Sequence, residues 1–123
     1  MVEPSSESEL TTVQEKIAAC QQRVGYTFQN LELIHAALTH ASGAATRLHS
    51  NERMEFLGDS ILGVVVCEHL YQSYPEYLEG DLTKIKSVVV SRRICAKISR
   101  QLDLEECLIV GRGMMGNGGV PRS

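Results

Sequence analysis

The sequence has no tryptophan and only two phenylalanines, so aliphatic side chains must fill whatever core it builds. It has no excess of positive charge either. With a formal net charge of −3 and a pI near 5.8, it lacks the overall basic field that usually marks nucleic-acid binders, and any such role has to rest on a local patch. There is no C-x-x-C pair: Cys20, Cys67, Cys95 and Cys107 stand singly, with no histidine at finger-like spacing. That argues against a zinc site and for reduced, partly buried thiols in a cytoplasmic protein. Long apolar runs are missing too, since the most apolar stretch, Ile61 to Cys67, falls far short of the roughly 20 residues needed to cross a bilayer. Met1 to Leu10 carries Glu3, Glu7 and Glu9 and has neither the basic nor the apolar region of a secretory signal. No membrane partner is expected.

What is present is the composition of an ordinary globular domain, 43% apolar and 22% charged, at a length that suits one domain. Residues 1–9 are rich in Ser and Glu and read as a flexible tail, and residues 10–123 form the domain. Thr12-Val13-Gln14-Glu15 fits a capping box, with Val13, Ile17, Ala18 and Val24 at helical spacing until Gly25 ends the first helix. Asn30 caps a second, with Leu31, Ile34, Ala37 and Leu38 as its stripe and an end near His40. Ser42 to Ser50 is small and polar and reads as a loop. Asn51 then caps the longest helix, Glu52 to about Tyr71, whose broad apolar surface predicts a central, buried position. Gly80-Asp81 opens a fourth helix and Ser91 caps a fifth. Val88 to Val90 is too short a β-branched run to overturn the helical reading. Gly111 to Ser123 is a glycine-rich loop. The predicted class is all-α.

The chemistry concentrates in Asn51 to Ser60. Glu52, Glu55 and Asp59 lie three and four residues apart, so a helix projects all three carboxylates from one face. Like charges at that spacing repel, and a magnesium ion would turn the repulsion into attraction. By spacing alone a solvated acidic face is the better explanation, as it is for most acidic clusters on helices. Against that stands the context, an otherwise apolar helix with Gly58 beside Asp59 leaving room for close approach, although Gly58 serves equally as a helix-packing residue.

Asn51 to Leu62 resembles the ribonuclease III signature almost without change. Gly25-Tyr26-Thr27-Phe28, Ala37-Leu38-Thr39-His40, Glu79-Gly80-Asp81, Leu104 to Leu108, and Gly118-Gly119 through Arg122-Ser123 resemble further blocks of bacterial members, in order. The resemblance implies the ribonuclease III catalytic-domain helix bundle. It also implies a homodimer that cleaves double-stranded RNA by magnesium-dependent phosphodiester hydrolysis in RNA processing, with manganese as a substitute metal and no small-molecule cofactor. The products would carry 5′-phosphate and 3′-hydroxyl ends.

By position in the signature, Glu55 and Asp59 match the metal ligands and catalytic acids, while Glu52 and Glu79 match accessory acids. Phe56 matches an apolar ball that inserts into a socket on the partner subunit. Lys84, Arg93, Lys97 and Arg100 form the best basic patch for duplex phosphates, the last three sharing a helix face. His35, His40, His49 and His69 lack metal-ligand spacing, and His40 is expected to make a structural hydrogen bond.

The resemblance is incomplete in two respects. Family members carry a second Asp-x-x-Glu pair shortly after the Gly-Gly…Arg-x-Ser block, and a C-terminal double-stranded RNA-binding domain. The sequence stops at Ser123 before either. The expectation is a partial catalytic domain lacking the last helices, with negligible hydrolysis by this polypeptide alone. The alternatives are a non-catalytic dimerisation or RNA-binding module of the same kind, or an inactive truncated fragment; intact Glu55 and Asp59 argue against the former history.

Overall fold

In the computed structural model residues 10–111 are described, so the expected tail at 1–9 and all but the first residue of the glycine-rich loop lie outside the described residues. Within them the chain forms five α-helices, α1 (Val13–Val24), α2 (Leu31–Leu38), α3 (Glu52–Ser73), α4 (Glu79–Val89) and α5 (Arg92–Gln101). The predicted all-α class holds.

Local chemistry explains the helix ends. Thr12 Oγ1 accepts from the Glu15 amide at 3.0 Å while Glu15 Oε1 accepts from the Thr12 amide at 2.9 Å, so the capping box closes in both directions. These bonds, that from the Thr12 backbone foremost, hold the Glu15 carboxyl below its ordinary range. Gly25 takes φ +73°, the left-handed stop that a side chain would strain. Asn30 Oδ1 accepts from the Glu32 amide and Ser91 Oγ from the Ile94 amide, as their positions predict. Val88 and Val89 complete α4 rather than a strand.

Two local expectations at the start of α3 need correction. The segment Ser42–Ser50 is not plain loop: it contains 3-10 turns at Ala41–Gly43 and Arg47–His49. Asn51 also makes no side-chain cap; the Glu52 amide donates instead to Ser50 Oγ at 3.3 Å, because the hydroxyl one residue earlier is held in reach by its own bond to the Arg47 carbonyl. A further 3-10 turn, Leu104–Cys107, follows α5. From there the chain returns to the start of the molecule, where Thr39 and Ile109 form an isolated parallel bridge.

That return builds the core. Cys20 of α1, Ile34 of α2 and Cys107 pack together, with Ile17, Phe28, Leu38 and Leu104 against them. Burial pushes both thiols above their ordinary pKa, keeping them protonated. All four cysteines are free. Two cations clamp the junction: Lys16 Nζ donates to the Leu108 carbonyl at 2.8 Å, and Arg23 donates to the Asp103 carbonyl at 2.6 Å and pairs with Glu106 at 2.8 Å.

The long helix α3 is not the buried centre. Leu70 is its one buried residue, while Leu57, Ile61, Val64 and Val65 are exposed. The reason is that α3 packs chiefly against α4, on one side, while the core gathers where α1, α2 and the Leu104–Cys107 turn meet. Among the described residues no helix is long and apolar enough to cross a membrane.

Candidate active site

The three acids of the signature occupy the first turns of α3, all exposed. Helical geometry does place Glu52, Glu55 and Asp59 along one side, yet their surroundings differ. Asp59 lines a cleft of about 840 Å³ between α3 and α4. Glu79, the first residue of α4, lines the same cleft, so the fold brings together two acids twenty positions apart in sequence. Glu79 is steadied by accepting from Thr83 Oγ1 at 3.0 Å. The cleft is mostly apolar, with Val64 and Leu82 in its walls, and among the described residues its cation is Lys86. Lys86 crosses from α4 to α3, its Cε 3.7 Å from where a Cβ on Gly63 would sit.

Glu52 lies outside that cleft, beside Phe56 and Leu57 in a smaller depression. Arg47 engages it: Nε donates to both carboxylate oxygens, at 2.7 and 3.0 Å. The hydrogen bond from Arg47 lowers the Glu52 pKa, with smaller help from the charges of Arg47 and His40, and the same bond raises that of Arg47. Glu55 lines neither depression. Among the described residues no group of three or more His, Cys, Asp or Glu is gathered closely enough to hold a metal ion. Glu55 and Asp59, one turn apart, remain a carboxylate pair of the kind magnesium takes, since it binds one or two carboxylates and keeps waters and substrate phosphates for the rest.

The other predicted residues take distinct places. Phe56 is 80% exposed, an aromatic ring standing in solvent. A Cβ on Gly58 would meet no atom within 4 Å, so no helix packs there among the described residues. Lys84 on α4 and Arg93, Lys97 and Arg100 on α5 are exposed and make no ion pair among the described residues. His40 is structural, its Nδ1 accepting from the Ser42 amide at 3.0 Å. Ser42 Oγ in turn accepts from the Gly111 amide.

Sequence reasoning missed Arg47 as a partner of the acids and gave Lys86 no place beside Asp59. Lys86 could have been found, because Glu79, Leu82, Thr83 and Lys86 share one helical face.

The sequence pattern of a family described as Ribonuclease-III-like matches residues 30–122. The chain belongs to this ribonuclease-III-like family. It is 56% identical over 123 residues to Ribonuclease 3 of Rhodopirellula baltica, covering all of this chain and 46% of that protein. It is 44% identical over 99 residues to Ribonuclease 3 of Idiomarina loihiensis, covering 80% of this chain and 42% of that one. The chain thus spans less than half the length of these relatives. Among solved structures it is similar to the nuclease domain of ribonuclease III from Campylobacter jejuni, at 36% identity and a TM-score of 0.76, over 84% of this chain and 71% of that one. That structure is described as showing flexibility in a region involved in dimer formation. The residues matched by the ribonuclease-III-like pattern take in α2 to α5 and all four acids of the candidate site.

Proposed function

We propose that this chain is part of an endoribonuclease that cleaves double-stranded RNA by metal-dependent phosphodiester hydrolysis. The observation that carries the reading is the placement of Asp59 and Glu79 on one cleft with Glu55 a turn away, in a chain of ribonuclease-III-like sequence. Glu55 and Asp59 would hold magnesium, or manganese in its place, and a bound ion of this kind supplies Lewis-acid stabilisation and an activated water. The chain's own residues do the rest. The carboxylates present oxygen ligands on a rigid helix, and the exposed row of Arg93, Lys97 and Arg100, with Lys84, meets duplex phosphates without reading sequence. The products are 5′-phosphate and 3′-hydroxyl ends, and the role is RNA processing.

Phe56 would enter a socket on a second copy, making the working unit a homodimer; its exposure beside the exposed Leu57 in one depression favours this, since contiguous apolar surface in solvent marks an interaction site. Four free cysteines suit the cytoplasm.

The test is cleavage of a labelled RNA duplex with magnesium by the protein as its gene encodes it, beside its Asp59→Asn variant. The expected loss on substitution is about 10³-fold, the worth of several kcal/mol of charge stabilisation. Equal cleavage by the two proteins would overturn the assignment. Duplex binding with no cleavage by either would favour a non-catalytic module.

A further inference from the structure

We infer that Arg47 is a phosphate-binding residue of this site, aimed by Glu52 at the backbone of the RNA duplex; the inference rests on the function proposed above. Both contacts from Arg47 to Glu52 run through Nε, and among the described residues neither Nη atom makes a hydrogen bond. A guanidinium carries five N–H donors, so four are left without a partner among the described residues, in the flat fork that matches a phosphate's oxygens. The side chain is 80% exposed, open to such a ligand.

The backbone that carries it is fixed. The Ser50 amide and Ser50 Oγ both donate to the Arg47 carbonyl, and Thr46 Oγ1 lies 2.6 Å from His49 Nδ1 across the same turn. The Asn51 amide donates to the Thr39 carbonyl at 2.8 Å, tying the segment to the buried end of α2.

Stability does not account for the pair. An ion pair this exposed adds little, and a cation beside the first turn of a helix opposes the helix dipole. Binding does account for it. From Met54 to Thr83 the sequence holds six acids, Glu55, Asp59, Glu68, Glu76, Glu79 and Asp81, and no Lys or Arg. A polyanion approaching the acids of α3 needs cations around that stretch: Arg53 and Lys84 bound it in sequence, Lys86 lines the cleft, and Arg47 adds a cation whose orientation is already set by Glu52. Glu52 then acts as the positioning residue for Arg47 rather than as a metal acid.

The experiment is steady-state cleavage of a labelled RNA duplex across a salt series, by the protein as its gene encodes it and by Arg47→Ala, Arg47→Lys and Glu52→Gln, with thermal melting as the check on folding. Arg47→Ala is expected to raise KM roughly tenfold, the loss of one charge-assisted contact. It should leave kcat near its starting value and reduce the slope of log KM against log salt by about one. Arg47→Lys keeps the charge and so the slope, but recovers only part of KM because a lysine lacks the fork. Glu52→Gln shifts KM in the same direction without changing the magnesium requirement. Unchanged KM and salt slope in Arg47→Ala would overturn the inference alone, as would a lower kcat with a raised magnesium requirement in Glu52→Gln. An unmodified protein that neither binds nor cleaves the duplex would sink the functional reading, and this inference with it.

Discussion

Set side by side, the junction of α1, α2 and the Leu104–Cys107 turn and the face of α3 use similar aliphatic side chains to opposite ends. At the junction three elements converge, and Ile34 is 2% exposed and Cys107 0%. Along α3 a denser run of Leu, Ile and Val meets one helix, and most of it stays in solvent. Burial follows from how many elements surround a residue and not from how apolar its own helix is. The acids sit on the second region, where carboxylates keep their hydration and a ligand can reach them, while the first region holds that platform steady.

The contrast can be broken most sharply at its two cores. Ile34→Ala should cost about 2–5 kcal/mol in urea denaturation, whereas Val65→Ala on α3 should stay within about 0.5 kcal/mol. A loss at Val65 as large as that at Ile34 would mean that the face of α3 is covered in solution. Two glycines sharpen the same point at smaller scale. A Cβ on Gly111 would lie 2.4 Å from the Ser42 carbonyl oxygen, so Gly111→Ala should destabilise by about 1–3 kcal/mol. Gly58 has open space around it, and Gly58→Ala should stabilise by about 0.5–1 kcal/mol by removing a helix-interior glycine. Equal effects of the two substitutions would contradict the local packing of one site or the other.

The smallest expected effect concerns alkaline pH. Burial raises the pKa of Cys20 and Cys107, so the folded state holds those protons more tightly than the unfolded chain. The resulting stability is complete below the ordinary thiol pKa of about 8.5 and is lost as pH rises through the folded values. The melting temperature should therefore fall on going to alkaline pH, and fall less in Cys20→Ala. An identical decline in both would show that other groups carry it.

Much of the fold was legible because helix ends are written locally. Thr12, Asn30, Ser91 and Gly25 each do what their residue type and position dictate. Asn51 misled because a neighbouring hydroxyl competes for the same amide, and residue type alone cannot rank Asn51 against Ser50. The exposure of α3 was legible only in part: periodicity shows that a face seeks cover, and whether cover lies nearby depends on the other helices of the domain. At the candidate site the shared face of Glu52, Glu55 and Asp59 could be read from spacing within one helix. The Arg47–Glu52 pair could not, since it crosses a helix boundary where no fixed period applies. Nor did Leu-Glu-Glu-Cys advertise Cys107 as the most buried side chain of the core, because its neighbours in sequence are charged.

Thr39 is where three stretches of chain converge, its carbonyl receiving the Asn51 amide and its backbone bridging Ile109. The stretch from His40 to Ser50 therefore leaves and returns to a single anchor. Closing such a loop costs only about 0.6 kcal/mol more for each doubling of its length. Residues could be added to or taken from its outer part, away from the Arg47 turn, while the first turn of α3 kept its place. The geometry of the acids is in this way insulated from the length of the segment that precedes them, and relatives are free to differ there without disturbing the helix it delivers.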